Sequence, residues 1–247
     1  LNYENTIICD ECENVIPNLP DDSVDMIVTS PPYNVNLGKN KYNSHEYDQY
    51  DDNKKHDSYI TWLCGILNSF GPKLKIGGRV CININDGKNG RIPTCSDLIQ
   101  GLNYKPFAHI VWDKGHTSNR TAWGSWLSPS MPSFPTPFER ILVFSKGEYK
   151  LQYKGETDLE REEFIQWANS IWRFKPENRK NHPAPFPLEL PKRLIKMLSW
   201  KDAFIVDPFN GSGTTTLACK MFGRRYLGID LSEEYCTDAR DRIDEYD

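Results

Sequence analysis

The 247-residue chain contains no run of about 18 apolar residues that could span a bilayer. Leu1-Asn2-Tyr3-Glu4-Asn5 has neither the basic start nor the apolar core of a secretory signal, so a cytoplasmic protein with no membrane attachment is expected. Positive charge is not in excess. The 30 Lys and Arg residues face 34 Asp and Glu, a formal net charge of -4, which argues against a protein that coats nucleic acid but allows a local basic face. The seven cysteines are odd in number and scattered, as reduced thiols are, rather than arranged as a disulfide framework. Cys9 and Cys12 form a Cys-x-x-Cys without a second pair or a nearby histidine, so no metal is expected. No Gly-Lys-Ser/Thr occurs, which excludes a P-loop.

What is present is an alternation of short apolar runs with helical patterns. Strands are expected at 6–9, 24–29, 79–86, 107–112, 140–144, 203–206 and 225–229, with Gly77-Gly78 as the turn before the third. Helices are expected at 57–70, 96–102, 188–200 and 214–222 and in the acidic terminal stretch from Asp230. Such alternation describes an α/β domain with a largely parallel sheet covered on both faces. The whole of 1–247 is expected to form one domain. Residues 34–56 are polar and aperiodic, as a mobile functional loop is. Residues 148–180 carry mixed charge without a clear period.

Two stretches carry chemistry. Ser30-Pro31-Pro32-Tyr33 follows the apolar run 24–29, and its two prolines remove two N–H donors while directing the chain outward as an extended segment. A hydroxyl, a carbonyl-rich corner and an aromatic ring then stand at a strand's C-terminal edge, where open α/β sheets bind ligands. By itself this is equally a plain turn. The second stretch, Asp207-Pro208-Phe209-Asn210-Gly211-Ser212-Gly213-Thr214-Thr215, follows a strand and opens a helix. Its glycines admit close backbone approach, and its helix start offers unpaired N–H groups. Asp230 follows Gly211 by 19 positions, near the interval at which an acidic side chain reaches ribose hydroxyls. The carboxylate of Asp207 would repel pyrophosphate but suits an ammonium or sulfonium, and S-adenosylmethionine carries both.

These stretches, with His182-Pro183-Ala184-Pro185-Phe186, together resemble the amino-methylating DNA methyltransferases of restriction-modification systems. Trp123-Gly124-Ser125-Trp126 and Arg140-Ile141-Leu142-Val143-Phe144-Ser145 are similar to further family segments. The catalytic motif precedes the cofactor motif, as in the family's circularly permuted beta group. The resemblance implies a Rossmann-like class I methyltransferase fold, with a seven-stranded, mostly parallel sheet and an antiparallel hairpin at one edge. It implies S-adenosyl-L-methionine as cofactor, with Phe209, Gly211 and Gly213 lining its site among Pro208, Asn210 and Thr214. Asp207 would lie near the methionine end, Asp230 would take the ribose, and Asp10 would sit by the adenine. His182, Pro183, Ala184 and Phe186 would close the other side.

The resemblance further implies that Ser30 Oγ and the Pro31 carbonyl accept the two hydrogens of an exocyclic amino group, localising its lone pair for attack on the methyl donor. Pro32 completes the corner, and Tyr33 would stack on a base turned out of the duplex. Ser30 in the first position favours N4 of cytosine, with N6 of adenine as the alternative. Double-stranded DNA is the implied partner; a separately acting cognate endonuclease and a homodimer are further partners compatible with the family. Residues 148–180 are expected to be a small target-recognition insertion, with Arg173, Lys175, Arg179 and Lys180 on phosphates, and the 34–56 loop would close over the base.

Overall fold

The computed structural model describes residues 3–34, 53–115, 124–177 and 187–246. Among these residues eight strands form one sheet: β1 (Thr6–Cys9), β2 (Val24–Thr29), β3 (Leu74–Ile84), β4 (Lys105–Asp113), β5 (Phe138–Ser145), β6 (Ile171–Arg173), β7 (Phe204–Asp207) and β8 (Arg225–Asp230). Their order across the sheet is β1-β8-β7-β2-β3-β5-β4-β6. All neighbours are parallel except β3 with β5 and β5 with β4.

Two-residue alternation divides the apolar side chains between the faces. Ile27, Phe204, Val206, Leu227 and Ile229 join one core, against α2 (His56–Ser69) and α3 (Thr94–Gly101). Met26, Val28, Ile205 and Tyr226 join the other, against α5 (Glu189–Leu198), α6 (Thr214–Met221) and α7 (Glu233–Asp244). Burial on both faces explains why β2 is buried at every position, Asp25 included. That buried carboxylate is partnered: Lys75 Nζ lies 2.8 Å away and the Phe204 N–H donates to it at 2.8 Å.

All seven anticipated strands are present, and two details differ. β6 adds an eighth strand parallel to β4, so the antiparallel pair lies one strand in from the edge. Three residues, with only Trp172 buried, give no readable period. Gly77-Gly78 does not precede β3 but lies within it, absorbed by a register shift opposite Val24 and Met26. The helical turn that Asn14-Val15-Ile16 suggests is present as α1 (Cys12–Val15), while α4 (Arg161–Trp167), which a Glu160/Glu163 capping box starts and which buries little beyond Trp167, was not anticipated.

The permutation closes in space. Arg240 on α7 donates to the Ile7 carbonyl of β1 at 3.1 Å, so the chain's last helix packs on its first strand. Residues 149–158 run along the edge holding the N-terminal ends of the parallel strands. There Tyr153 bonds Asp25, and Arg224, fully buried, makes a two-pronged pair with Asp158 at 2.7 and 2.8 Å. All seven cysteines are free thiols. No described helix is long and apolar enough to cross a membrane.

Candidate active site

Connections leaving β2 and β7 run in opposite directions across the sheet, β2 toward β3 and β7 toward β8, although the two strands are neighbours. This is the topological switch point, where a crevice opens beyond the strands' C-terminal ends. Ser30 leaves β2 on one side of it and Asp207 ends β7 on the other. Thr29 Oγ1 donates to Asp207 Oδ1 at 2.7 Å and ties the two together.

On the β7 side the backbone carries the geometry. Gly211 and Gly213 have φ of 49° and 78°, left-handed values that set the turn into α6. A Cβ on Gly213 would come within 2.7 Å of Ala239 Cβ, so α7 lies close behind the loop. Arg242 of α7 hydrogen-bonds the Ser212 carbonyl from there. Asn210 lies over Gly228, where a Cβ would approach its side chain to 2.5 Å, and its Oδ1 accepts from Thr216 at 3.1 Å. Trp62 of α2 packs on Phe209 with ring centroids 5.6 Å apart.

Three expected carboxylates gather here. Asp230 accepts the Gly211 and Ser232 N–H groups at 2.7 and 3.0 Å, and burial nevertheless raises its pKa. The Asp10 N–H donates to the Asp230 carbonyl at 3.0 Å, which places Asp10 beside it with its own side chain exposed. Asp207 is buried, and burial pushes its carboxyl up to about 6 against the opposing bonds that Thr29 and the Phe209 N–H donate to its Oδ1. Its Oδ2 has no hydrogen-bond partner among the described residues. A buried, half-satisfied carboxylate beside a glycine loop suits a cationic ligand group.

The β2 side is built from side chains. Asn83, buried near the end of β3, donates from Nδ2 to Tyr33 OH at 2.8 Å and to Glu139 Oε2 at 2.7 Å, with Ser30 Oγ at 3.5 Å. The Tyr33 hydroxyl donates to Glu139 Oε2 at 2.8 Å, and Ser30 Oγ lies 3.4 Å from that hydroxyl. Glu139, at the start of β5, is ion-paired with Lys114 just past β4. Tyr59 of α2 donates to the Pro32 carbonyl at 2.7 Å. No hydrogen bond among the described residues reaches the Pro31 carbonyl.

Asn83, Glu139, Lys114, Tyr59, Trp62 and Arg242 were not singled out from sequence. The readable signal was faint: one polar residue within Val-Cys-Ile-Asn-Ile and one acid opening an apolar strand.

Arg173 and Lys175 leave the C-terminal end of β6, on the same edge as Ser30, and both are exposed. Arg173, 78% exposed, pairs with Asp113 at 3.0 Å. Arg179, Lys180, His182, Pro183, Ala184 and Phe186 lie outside the described residues, as does 35–52 of the expected loop. The described ends of that loop are joined, since Asn34 Nδ2 donates to the Lys54 carbonyl and Asn34 Oδ1 accepts the Lys54 N–H, both at 2.8 Å.

The N6_N4_Mtase family, described as DNA methylase, matches residues 24–241. Type II methyltransferase M.MjaVI of Methanocaldococcus jannaschii is 38% identical over 180 residues, covering 71% of this chain and 88% of that one. Among solved structures, TTHA0409 of Thermus thermophilus, described as a DNA modification methylase and complexed with S-adenosyl-L-methionine, superposes with a TM-score of 0.74 at 27% identity. The match covers 97% of this chain and 93% of that one. PvuII DNA methyltransferase (cytosine-N4-specific) superposes with a TM-score of 0.71 over 96% of this chain and 86% of its own, at 18% identity, a likeness of fold.

Proposed function

Because the chain belongs to the N6_N4_Mtase family of DNA methylases, we propose that it methylates N4 of cytosine within a specific duplex sequence, on a base turned out of the helix. The chain is an S-adenosyl-L-methionine-dependent DNA methyltransferase. The bound cofactor supplies a methyl group activated by its sulfonium. The residues present fit it: Asp207 holds an unsatisfied oxygen for a positive group, and Gly211 and Gly213 leave room for backbone approach. Asp230 keeps lone pairs for ribose hydroxyls beyond its two backbone bonds. Pro208, Phe209, Asn210, Thr214 and Asp10 frame this half, and His182, Pro183, Ala184 and Phe186 are proposed to close it.

The observation that carries the reading is the position of Ser30 across the switch-point crevice from Asp207. The Pro32 carbonyl is occupied by Tyr59, which leaves the Pro31 carbonyl and Ser30 Oγ to accept the two amino hydrogens. With both accepted, the nitrogen lone pair is withdrawn from the ring and aimed, so rate comes from positioning rather than from a strong base. The Tyr33 hydroxyl, tethered to Glu139 and Asn83, holds its ring in one place for stacking, worth about 1–3 kcal/mol per base. The basis for preferring cytosine is the resemblance: a Ser before Pro-Pro-Tyr, as Ser30 is here, goes often with cytosine in the family, where an Asp goes mainly with adenine; N6 of adenine is the second reading.

The chain is proposed to act as one catalytic domain, with the 34–56 loop over the base and the 148–180 insertion reading the target, its described residues 171–177 standing at the site edge. Arg173, Lys175, Arg179 and Lys180 would contact phosphates. A cognate endonuclease and a homodimer are compatible with this reading and are not required by it. Incubating the protein with methyl-labelled cofactor and mixed-sequence duplex plasmid, then digesting the DNA to nucleosides, tests the proposal. N4-methyldeoxycytidine is expected. N6-methyldeoxyadenosine would reverse the base, and label absent from every nucleoside would overturn the activity. Sequencing the methylated plasmid maps the target site.

A further inference from the structure

One apolar surface is left unused by this chemistry. Residues 124–137, between β4 and β5, expose Leu127 (88%), Phe134 (76%), Trp126 (66%) and Met131 (61%) in a single short segment. Large exposed apolar groups gathered in this way mark an interaction site. The segment is internally braced. Gly124 bridges Pro132, the Ser125 N–H donates to the Met131 carbonyl at 2.9 Å, and Ser125 Oγ accepts the Met131 N–H at 2.9 Å. At the tip Leu127 has φ of 51°, a left-handed conformation costly for a branched side chain and found where surrounding structure imposes it for use.

Location and charge identify the occupant. β5 runs antiparallel to β3, so the segment that enters β5 lies on the same sheet edge as Ser30. Asn85, just past β3, donates to the Phe138 carbonyl at 2.9 Å, and Asn89 bonds Ser133 at 2.9 Å. The adjoining turn closed by Gly87 and Ile92 presents exposed Lys88 and Arg91. Residues 87–92 and 124–137 together contain no acidic residue, in a chain of net charge -4. An apolar tip flanked by cations, beside a site that needs a base extruded, has the chemistry of a wedge inserted between base steps.

We propose that residues 124–137 form a duplex-DNA wedge: Leu127, with Trp126, Met131 and Phe134, enters the base stack and fills the space left by the extruded base, while Lys88 and Arg91 hold the flanking phosphates. This rests on the DNA methyltransferase reading and adds an element for opening the duplex. The wedge acts on the cost of unstacking, so its contribution shrinks when the target base is already mispaired.

The test uses the full chain and a synthetic duplex of the mapped target sequence, with the target base either paired or opposite a mismatched base. Leu127→Ala combined with Phe134→Ala should lower methyl transfer about tenfold on the paired duplex and less than about threefold on the mispaired one. Lys88→Gln combined with Arg91→Gln should weaken binding of both duplexes and reduce the salt slope by about 2. Cofactor binding by both variants, unchanged by calorimetry, reports that the fold is intact. Equal losses on the two duplexes, or no loss on either, would overturn the wedge. So would a wild-type dimer that the Leu127/Phe134 variant converts to monomer, since the surface would then cover a second copy. If the wild-type protein methylates no DNA, the activity itself fails, which is a different result from an active wild type whose wedge variant behaves identically.

Discussion

The two banks of the crevice are made by different means. On the β7 bank one contiguous segment, Asp207 to Thr214, does most of the work through backbone: two left-handed glycines, a helix start and one buried carboxylate. On the β2 bank the backbone contributes only a proline corner. The rest is assembled from Asn83 of β3, Glu139 of β5, Lys114 past β4 and Tyr59 of α2. A site built from backbone tolerates no added Cβ, whereas one built from side chains fails in graded steps, because each group is held by several others.

The sharpest break of this contrast is Gly213→Val. A branched residue at φ 78°, with its Cβ 2.7 Å from Ala239, is expected to lower the midpoint of thermal unfolding and to abolish cofactor binding by calorimetry. Next is Ser30→Ala, expected to cut kcat by about 10²–10³-fold, the scale for losing one preorganised polar contact to the reacting group, while cofactor affinity stays within about twofold. Glu139→Gln probes the graded bank. It removes the charge that pairs with Lys114 and weakens the hold on Tyr33, so single-turnover methylation should slow by about tenfold. Tyr33→Phe should slow it by less, and cofactor affinity should be unchanged in both.

The smallest effect is on pH. Asp207 titrates near 6 in the fold against an ordinary value of 3.8, so the folded protein binds the extra proton between these limits. Stability contributed by this group is therefore highest below about pH 4 and falls as pH rises through about 6. A cationic ligand prefers the ionised carboxylate, so cofactor affinity should rise between pH 5 and 7 with proton release, and Asp207→Asn should flatten that rise. Calorimetry in buffers of different ionisation enthalpy measures both.

The difference between the banks also explains what could be read in advance. The strands were legible because a short apolar run bounded by turns is a local property, and β6 was not because its three residues make no such run. Likewise the 148–180 segment, aperiodic in sequence, divides in space: 149–158 is pinned on the far edge by Asp158 with Arg224, while Arg173 and Lys175 reach the near one. Nothing in the local pattern distinguishes those halves.

By itself the sequence determined the parts whose chemistry lies in consecutive residues: the donor-poor Ser30-Pro31-Pro32 corner, the Gly211-x-Gly213 turn, and the interval from Gly211 to Asp230. Only the tertiary structure decided which distant side chains meet them. It set Asn83 and Glu139 on Tyr33, left one oxygen of Asp207 buried without a partner among the described residues, and brought the uncharged 124–137 segment to the edge where Ser30 stands. The physical reason is that φ preferences and missing N–H donors act within a few residues, whereas a hydrogen bond between strands depends on sheet order and register, which the whole core sets together.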